Sequence, residues 1–322
     1  MIFYNRHVYY NVSVFFYLFM FMDYTFLHST ILTWFDNNQK VYPWRSESPH
    51  PYHVLLSEYM LQQTQASRIA LKFPEFLNTF PTIEKLSNAT NAQMIIAWQG
   101  MGYNNRAIRL RDCAKQIMDT FNGNIPSNYS DLLSLPGIGT YTASAILSFA
   151  FKHNISVIDI NIYRIYSRVF GLDIHDAKTK SEVKTIAEHI YPRDFSSAWH
   201  QALMDIGSSF CKAQNPKCIL CPIPDCLYRN NPSLYRVNPA KPKKTEASFR
   251  NIPNRLWRGK TIEFLRNDYQ LGHHLKDVLH SILKQNPNET DITWFKESII
   301  PSLIKDHLIE YNVENNHLSL KG

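Results

Sequence analysis

The sequence predicts a mainly α-helical protein with a helix-hairpin-helix and a four-cysteine loop, followed by a small α+β module of winged-helix type. Apolar residues recur at the helical spacing of three and four in six segments, near 52–66, 91–99, 106–121, 141–151, 161–170 and 181–191. A glycine-containing turn joins two apolar segments around residue 138, and four cysteines lie close together after residue 210. No long alternating strand pattern interrupts the helical region, which extends to about residue 228.

Length and charge bound the organisation. The chain has 322 residues, 44% of them hydrophobic, which suffices for one large and one small domain. The net charge of +7 is concentrated in residues 236–260, which carry eight basic residues and one acid. Such a stripe is either a phosphate-contacting segment or a solvated linker. We predict a helical domain over 22–230, which includes the four-cysteine loop over 211–226, a basic linker over 231–250 and a winged-helix-like module over 251–322.

The first residues are unusually apolar. Residues 12–22 are almost entirely apolar or aromatic, but a membrane-spanning helix needs about 20 such residues. No small-residue cleavage site follows, as a signal peptide would require. We interpret residues 1–21 as an extension, with Met20 or Met22 as the expected start and no membrane partner; a membrane or organelle address is the alternative.

The segment LPGIGTYTASAIL, residues 135–147, predicts the hairpin. Gly137 and Gly139 allow a tight turn without β-carbons, and a helix begins near Thr140. Backbone N–H groups at such a helix start form an anion site that holds a nucleic-acid backbone without reading sequence. An ordinary helical corner is the alternative.

The C-terminal region has a different pattern. Three helices are predicted near 258–266, 272–285 and 292–307, and the final residues, LIEYNVENNHLSLKG, form two short strands around a polar turn. Three helices followed by a hairpin indicate a winged-helix-like module of about 70 residues.

The four clustered cysteines are Cys211, Cys218, Cys221 and Cys226. Zinc sites usually contain two Cys-x-x-Cys pairs, and this spacing has only one. Cysteine ligands with uneven short loops favour a 4Fe–4S cluster; zinc and free thiols remain alternatives. Clustered cysteines also indicate a reducing compartment, and Cys113 is interpreted as structural.

Two carboxylates stand in otherwise apolar surroundings. Glu58 lies in SEYMLQQTQ and Asp159 in VIDINIYRIYSR, at a predicted helix start. From these residues alone, Asp159 is a helix cap and Glu58 a surface residue of an amphipathic helix. Nothing in their spacing brings the two together.

Residues 34–226 closely resemble the MutY family of adenine DNA glycosylases, within the endonuclease III superfamily. The resemblance is carried by these segments, in the family order: PWR, PYHVLLSEYMLQQTQ, WQGMGYNNRAIRL, LPGIGTYTASAILSFAF, IDINIYRIYSR, HQALMDIG and the four cysteines. SEYMLQQTQ is the most discriminating of them. The resemblance implies two helical subdomains with a DNA-filled cleft between them.

The resemblance also implies roles. Glu58 would protonate the departing adenine and then activate water, and Asp159 would stabilise the cationic sugar, as in glycoside hydrolysis. Tyr141 replaces the Schiff-base lysine of bifunctional relatives, so strand cleavage is not expected. Asn161 lies near the aspartate. Gln63 and Tyr103 would enter the duplex, with Gln62 beside them, and Arg45 and Gln201 would contact the extruded base.

The chain departs from the family in several places. Four residues separate the last two cysteines where five are usual, Ile160 replaces a glycine, and Asn104 replaces a tyrosine. Residues 251–322 are too few for the Nudix-like domain of many family members, which leaves the preference for 8-oxoguanine over guanine open. The expected partner is double-stranded DNA with an adenine mispair, bound by a monomer in the bacterial cytoplasm, or in an organelle or nucleus if the source is eukaryotic. The alternatives are a thymine mismatch glycosylase on the same fold and a non-catalytic iron–sulfur DNA-binding protein.

Overall fold

The computed structural model describes residues 23–174, 176–230, 232, 246–267 and 272–322. The predicted N-terminal extension and most of the predicted linker lie outside these ranges. Within them, no helix combines the length and the apolar character that crossing a membrane requires.

The chain divides into two compact units. The first unit combines residues 1–41 with 152–238, and the second combines 42–151 with 239–322. The described helices of the first unit are α1 (Thr25–Asn38), α9 (Ile160–Val169), α10 (Thr179–Ile190), α11 (Ser196–Ser209) and α12 (Leu227–Asn230). The second unit begins with α2 (Pro51–Leu61), α3 (Ala66–Thr79), α4 (Ile83–Ser87), α5 (Asn91–Ala97), α6 (Asn105–Phe121), α7 (Tyr129–Ser134) and α8 (Thr140–Phe149).

In the first unit, α11 packs against both α1 and α9. Trp199 and Leu203 of α11 are buried with Phe35 of α1. Helices α9 and α11 approach closely at Gly207, where an added β-carbon would lie 2.6 Å from Cβ of Asn161. The glycine therefore fixes how near Asn161 stands to α11, because any larger residue would push the helices apart.

In the second unit, α2 is the central helix. Most of its side chains are buried, including Leu55, Leu56 and Glu58, and it packs against α3, α6 and α8. The interpretation of Glu58 as a surface residue of an amphipathic helix is therefore wrong: the helix is surrounded by others, and Glu58 is only 6% exposed.

The C-terminal residues form a compact module in the second unit. It contains β1 (Ser248–Phe249), β2 (Ile252–Pro253), α13 (Asn254–Arg266), β3 (His273–His274), α14 (Leu275–Leu283), α15 (Glu289–Trp294), a π-helical turn (Phe295–Ile299), α16 (Ile300–Lys305), β4 (Ile309–Asn312) and β5 (His317–Leu320). The antiparallel sheet has the order β3-β5-β4. We call residues 289–305, which comprise α15, the π-helical turn and α16, the third helical segment. The order α13, β3, α14, third helical segment and β4–β5 hairpin is that of a winged helix.

The module is anchored to the helices of the same unit. Arg266 of α13 donates from Nε to the carbonyl of Ile95 at 3.0 Å and from Nη2 to Oδ1 of Asn104 at 2.9 Å. Asn91 donates to the carbonyl of His307 at 2.6 Å. Arg266 thus holds α13 against the loop that precedes α6.

Candidate active site

Helix α2 presents Glu58 and also braces the hairpin. Pro51 begins the helix, and His50 caps it by accepting a hydrogen bond from the backbone of Tyr52. The Tyr59 hydroxyl donates to the carbonyl of Pro136. Gln62, at the end of the helix, donates to the carbonyl of Gly137 at 3.4 Å. A buried carboxyl and two hairpin contacts therefore lie within five consecutive residues.

The hairpin has the predicted form. Ile138 is buried, whereas Gly137, Gly139 and Thr140 are exposed at the start of α8. Gly137 has φ +80°, and a β-carbon there would lie 2.9 Å from the ring of Tyr59. Gly139 caps α8 with extended backbone, and nothing lies within 4 Å of a β-carbon at this position. The exposed N-terminus of α8 has the polarity that favours a phosphate.

Substitution of the two glycines is expected to have different effects on the free energy of unfolding. Gly137→Ala is expected to lower the free energy of unfolding by about 1–3 kcal/mol, because it adds both a left-handed alanine and a clash with Tyr59. Gly139→Ser is the matched control and is expected to be neutral or stabilising, because serine is a good helix cap. Urea unfolding measures both; equal losses would contradict this account of the hairpin.

Gln63 and Tyr103 both lie on strained turns. Their φ angles are +59° and +47°, and both side chains are exposed. Such conformations persist in non-glycine residues only where the surroundings impose them, and they cluster at functional sites. Gln63 follows the end of α2, and Tyr103 lies in the loop between α5 and α6.

Arg106 supports both turns, and the sequence analysis missed it. Its guanidinium donates to the carbonyls of Tyr59, Met60, Met101 and Gly102 and to the hydroxyl of Thr64, at 2.9 to 3.0 Å. It also lies 5.6 Å from the ring centroid of Tyr103. Burial lowers the pKa of Arg106 to about 10. The sequence does contain a sign of this role: Arg106 lies at the helical spacing of the apolar residues Leu110, Cys113 and Ile117, where a charged side chain is expected to be buried and paired.

Asp159 caps α9, as its sequence position predicts. Its Oδ1 accepts a hydrogen bond from the backbone N–H of Ile162 at 2.7 Å, and its Oδ2 accepts one from Asn161 Nδ2 at 2.7 Å. Burial raises the pKa of Asp159, and these hydrogen bonds, together with the charge of Arg164, oppose that rise. The side chain is thus a partly buried carboxylate held in one orientation.

A chain of contacts connects Asp159 with the first cysteine. Asn161 accepts on Oδ1 from Arg164 Nη2 at 2.7 Å. Arg164 in turn donates from Nε to the carbonyl of Cys211 at 2.6 Å and from Nη2 to that of Gly207 at 3.0 Å. Arg164 was not predicted as a site residue. It ties the orientation of Asp159 to the position of the cysteine loop.

The other predicted site residues are divided between the two units. Tyr141 lies half-buried in the first turn of α8, and Arg45 lies over the ring of Tyr42 at 5.0 Å, both in the second unit. Gln201 lies in the first unit on α11, where it donates to the Ser197 hydroxyl at 3.0 Å.

The four clustered cysteines line one cavity. Cys211, Cys218, Cys221 and Cys226 surround it together with apolar side chains that include Phe210. The buried Arg168 donates to Sγ of Cys211 at 3.3 Å and to the carbonyl of Lys212 at 2.7 Å. In the part of the chain that the structure describes, no three potential ligands lie close enough to hold a single metal ion.

The central part of the chain matches a known family of DNA repair proteins. Residues 56–193 match the HhH-GPD superfamily of base excision DNA repair proteins. Two solved structures share the fold. A thermostable thymine-DNA glycosylase is 27% identical with a TM-score of 0.59, covering 65% of this chain and 99% of that one. An endonuclease III–DNA covalent intermediate is 21% identical with a TM-score of 0.55 over 65% and 96% of the chains.

Several similar proteins are named adenine DNA glycosylases. An adenine DNA glycosylase of Buchnera aphidicola subsp. Baizongia pistaciae is 36% identical over 67% of this chain and 62% of its own length. Its counterpart from Mycobacterium tuberculosis is 29% identical over 89% of this chain and 91% of its own length. The chain therefore spans less than two thirds of the Buchnera enzyme but nearly all of the mycobacterial one.

Proposed function

We propose that this chain is a monofunctional adenine DNA glycosylase that acts in base-excision repair on adenine mispaired with guanine or 8-oxoguanine. The observation that carries the proposal is the placement of Glu58. It is a buried carboxyl on the helix whose next residues, Tyr59 and Gln62, hold the hairpin. The relatives named adenine DNA glycosylases support the choice of base.

In the proposed reaction, Glu58 donates its proton to the adenine ring as the bond between adenine and deoxyribose breaks. The electron pair leaves with the base, and positive charge develops on the sugar. Asp159 stabilises that charge, with Asn161 holding its orientation. The ionised Glu58 then takes a proton from water, whose oxygen bonds to the sugar carbon. This returns Glu58 to its acidic form.

The base must first leave the stack, which costs a few kcal/mol. We propose that Gln63 and Tyr103 fill the space that the base vacates. Both side chains are exposed on turns with positive φ angles, and the hydrogen bonds of Arg106 hold these turns in place. A side chain held in this way can enter the duplex without first being ordered, which supports the role. We assign Arg45 and Gln201 to the extruded adenine, and the exposed turn at Gly137 and Gly139 to the DNA backbone.

A thymine mismatch glycosylase is the second candidate, since a thymine-DNA glycosylase is among the similar structures. Labelled duplexes with A:G, A:8-oxoguanine, T:G and A:T pairs separate the two. The proposal expects base release from both adenine mispairs, and neither from T:G nor from A:T. Release of thymine alone would transfer the assignment to the second candidate.

We also propose that the four clustered cysteines hold a 4Fe–4S cluster. Bound there, the cluster would serve as a structural cross-link. The apolar lining and the hydrogen bond from Arg168 to Cys211 fit thiolate ligands, whose negative charge such a donor stabilises. The cysteines would then fix the loop between Cys211 and Cys218, where Lys212 and Lys217 are exposed toward solvent and available to phosphate.

The cluster predicts a specific composition. Anaerobically purified protein is expected to contain about four iron atoms and four sulfides per chain. Cys218→Ser is expected to lose most of the iron and to lower the Tm, because a ligand is removed. Cys113→Ala, which changes the buried cysteine outside the group, should keep the iron. One equivalent of zinc and no sulfide would contradict the assignment.

A further inference from the structure

A wide groove in the second unit lies beside Tyr103. The loop at residues 102–105 and α13, the first helix of the winged-helix module, form two of its walls, and Leu303, Asp306 and Leu308 complete the lining. The groove has a volume of about 670 Å³, within the range of pockets that take up a ligand. Because Arg266 joins α13 to Ile95 and Asn104, both walls belong to one packed structure.

Three cations of α13 line this groove: Arg255, Arg258 and Lys260. Arg258 pairs with Asp306, and Arg255 pairs with Glu246 at 2.8 Å in an exposed contact. Lys260 is exposed and lies 4.1 Å from the ring of Trp257. Exposed ion pairs contribute little stability, so Arg255 can exchange its carboxylate for a phosphate at small cost; Arg258, whose pair is partly buried, can contact a phosphate while it stays paired with Asp306.

Two carboxylates line the groove: Asp306, which pairs with Arg258, and Glu263, which is also engaged. Glu263 accepts hydrogen bonds from Arg266 and from Gln99, each at 2.6 Å. These contacts offset its negative charge and turn it toward the anchoring residues. Helix α13 carries Arg255, Arg258, Lys260 and Arg266 against the single acid Glu263, so its own charge is positive.

Gly259 adds an independent observation. It lies in the interior of α13, where glycine is a poor helix former. It is exposed in the groove between Arg258 and Lys260, and nothing lies within 4 Å of a β-carbon there. No packing constraint among the described residues requires glycine. A bare backbone between two cations does allow close approach of another chain.

The other elements of the module are less suited to DNA. In helix-turn-helix proteins a later helix enters the major groove. Here the exposed charges of the third helical segment are balanced, with Glu289 and Glu297 against Lys296 and Lys305. The hairpin of β4 and β5 carries the exposed acids Glu310 and Glu314, which would repel phosphates.

We propose that α13 is a second DNA-binding element, and that its groove holds the sugar–phosphate backbone of a DNA strand. Arg255, Arg258 and Lys260 contact phosphates, and Gly259 lets the strand lie directly against the helix. The module therefore uses its first helix, rather than its third helix or its wing, to bind DNA. This inference rests on the proposed function for the identity of the ligand, since DNA is the substrate of that reaction.

The first test measures the salt dependence of binding to a fluorescent duplex without a mispair. Each lost phosphate contact lowers the slope of log Kd against log salt by about 1. The double variant Arg255→Ala with Lys260→Ala is expected to lower the slope by about 2 and to weaken binding by at least about tenfold. The control Lys296→Ala with Lys305→Ala removes the same charge from the third segment and is expected to leave both values unchanged. Equal effects of the two double variants would overturn the proposal.

The second test separates binding from folding. Gly259→Leu replaces glycine by a better helix former in open space, so the Tm should be unchanged or higher. The leucine side chain would occupy the groove and keep the DNA strand away from the helix. The Kd for the duplex should therefore rise by about tenfold, because phosphate contacts are lost. Unchanged DNA affinity in this variant would overturn the proposal.

The two proposals fail separately. If the wild-type chain releases adenine but the α13 variants bind duplex as it does, only the role of α13 is wrong. If the wild-type chain releases no base while the α13 variants lower the salt slope, the proposed reaction is wrong and the DNA-binding surface stands.

Discussion

Replacing Glu58 by glutamine is expected to slow the single-turnover release of adenine by roughly 10²–10⁴-fold, the usual contribution of a general acid or base. Glutamine has nearly the same shape but carries no acidic proton. The buried position on α2 and the contacts of Tyr59 and Gln62 with the hairpin do not depend on the carboxylic acid. The affinity for a duplex with an A:G mispair should therefore remain within a few-fold of the wild type.

The matched control for this variant is Glu84→Gln, which makes the same change at an exposed residue of α4. Its rate should equal that of the wild type. A Glu58→Gln protein that folds, binds the mispair and still releases adenine at the wild-type rate would remove Glu58 from the mechanism.

Asp159→Asn is expected to reduce the rate of adenine release by about 10²–10³-fold, the size of the loss when one electrostatic contact to a developing charge is removed. Asparagine is also a good helix cap, so α9 should form as before. The rate is measured under single turnover beside Asp36→Asn, an exposed aspartate of α1 in the same unit. A wild-type rate in Asp159→Asn would contradict the assigned role.

The raised pKa of Asp159 adds two further expectations, one for the pH dependence of the wild-type activity and one for the stability of Asp159→Asn. Because the ionised form stabilises the sugar cation, activity should fall as the pH drops through this pKa, which is above the usual value of about 3.9. A raised pKa means that folding favours the protonated carboxyl, and this stabilisation is lost as the pH rises through the folded-state pKa. The Asp159→Asn change, which removes the charge, should therefore not lower the Tm at neutral pH, although it slows adenine release.

The sequence predicted the longer helices well and the short elements poorly. The segments near 106–121 and 181–191 correspond to Asn105–Phe121 and Thr179–Ile190, since an apolar period over three turns is a strong signal. Helix α4 has five residues and β3 has two, too few to establish any period. Strand β1 lies at the end of the predicted linker, because long-range packing orders Phe249 against Trp294, with 4.0 Å between the ring centroids.

Part of the site could be predicted and part could not. The glycines of the hairpin and the cap at Asp159 are local features, which a sequence states directly. The burial of Glu58 depends on the helices around α2, and the periodicity of one helix cannot reveal them. Arg106 and Arg164 act on carbonyls far along the chain, so their roles emerge only when the backbone is folded.

The central claim is tested most directly by a time course of the wild-type protein with an A:G duplex, each sample being split before analysis. One half is assayed for free adenine and the other for strand breaks with and without hot alkali. The account predicts free adenine in step with alkali-dependent breaks, and no breaks without alkali, because Tyr141 cannot form an imine. Failure to release adenine from this duplex and from its 8-oxoguanine counterpart would contradict the account.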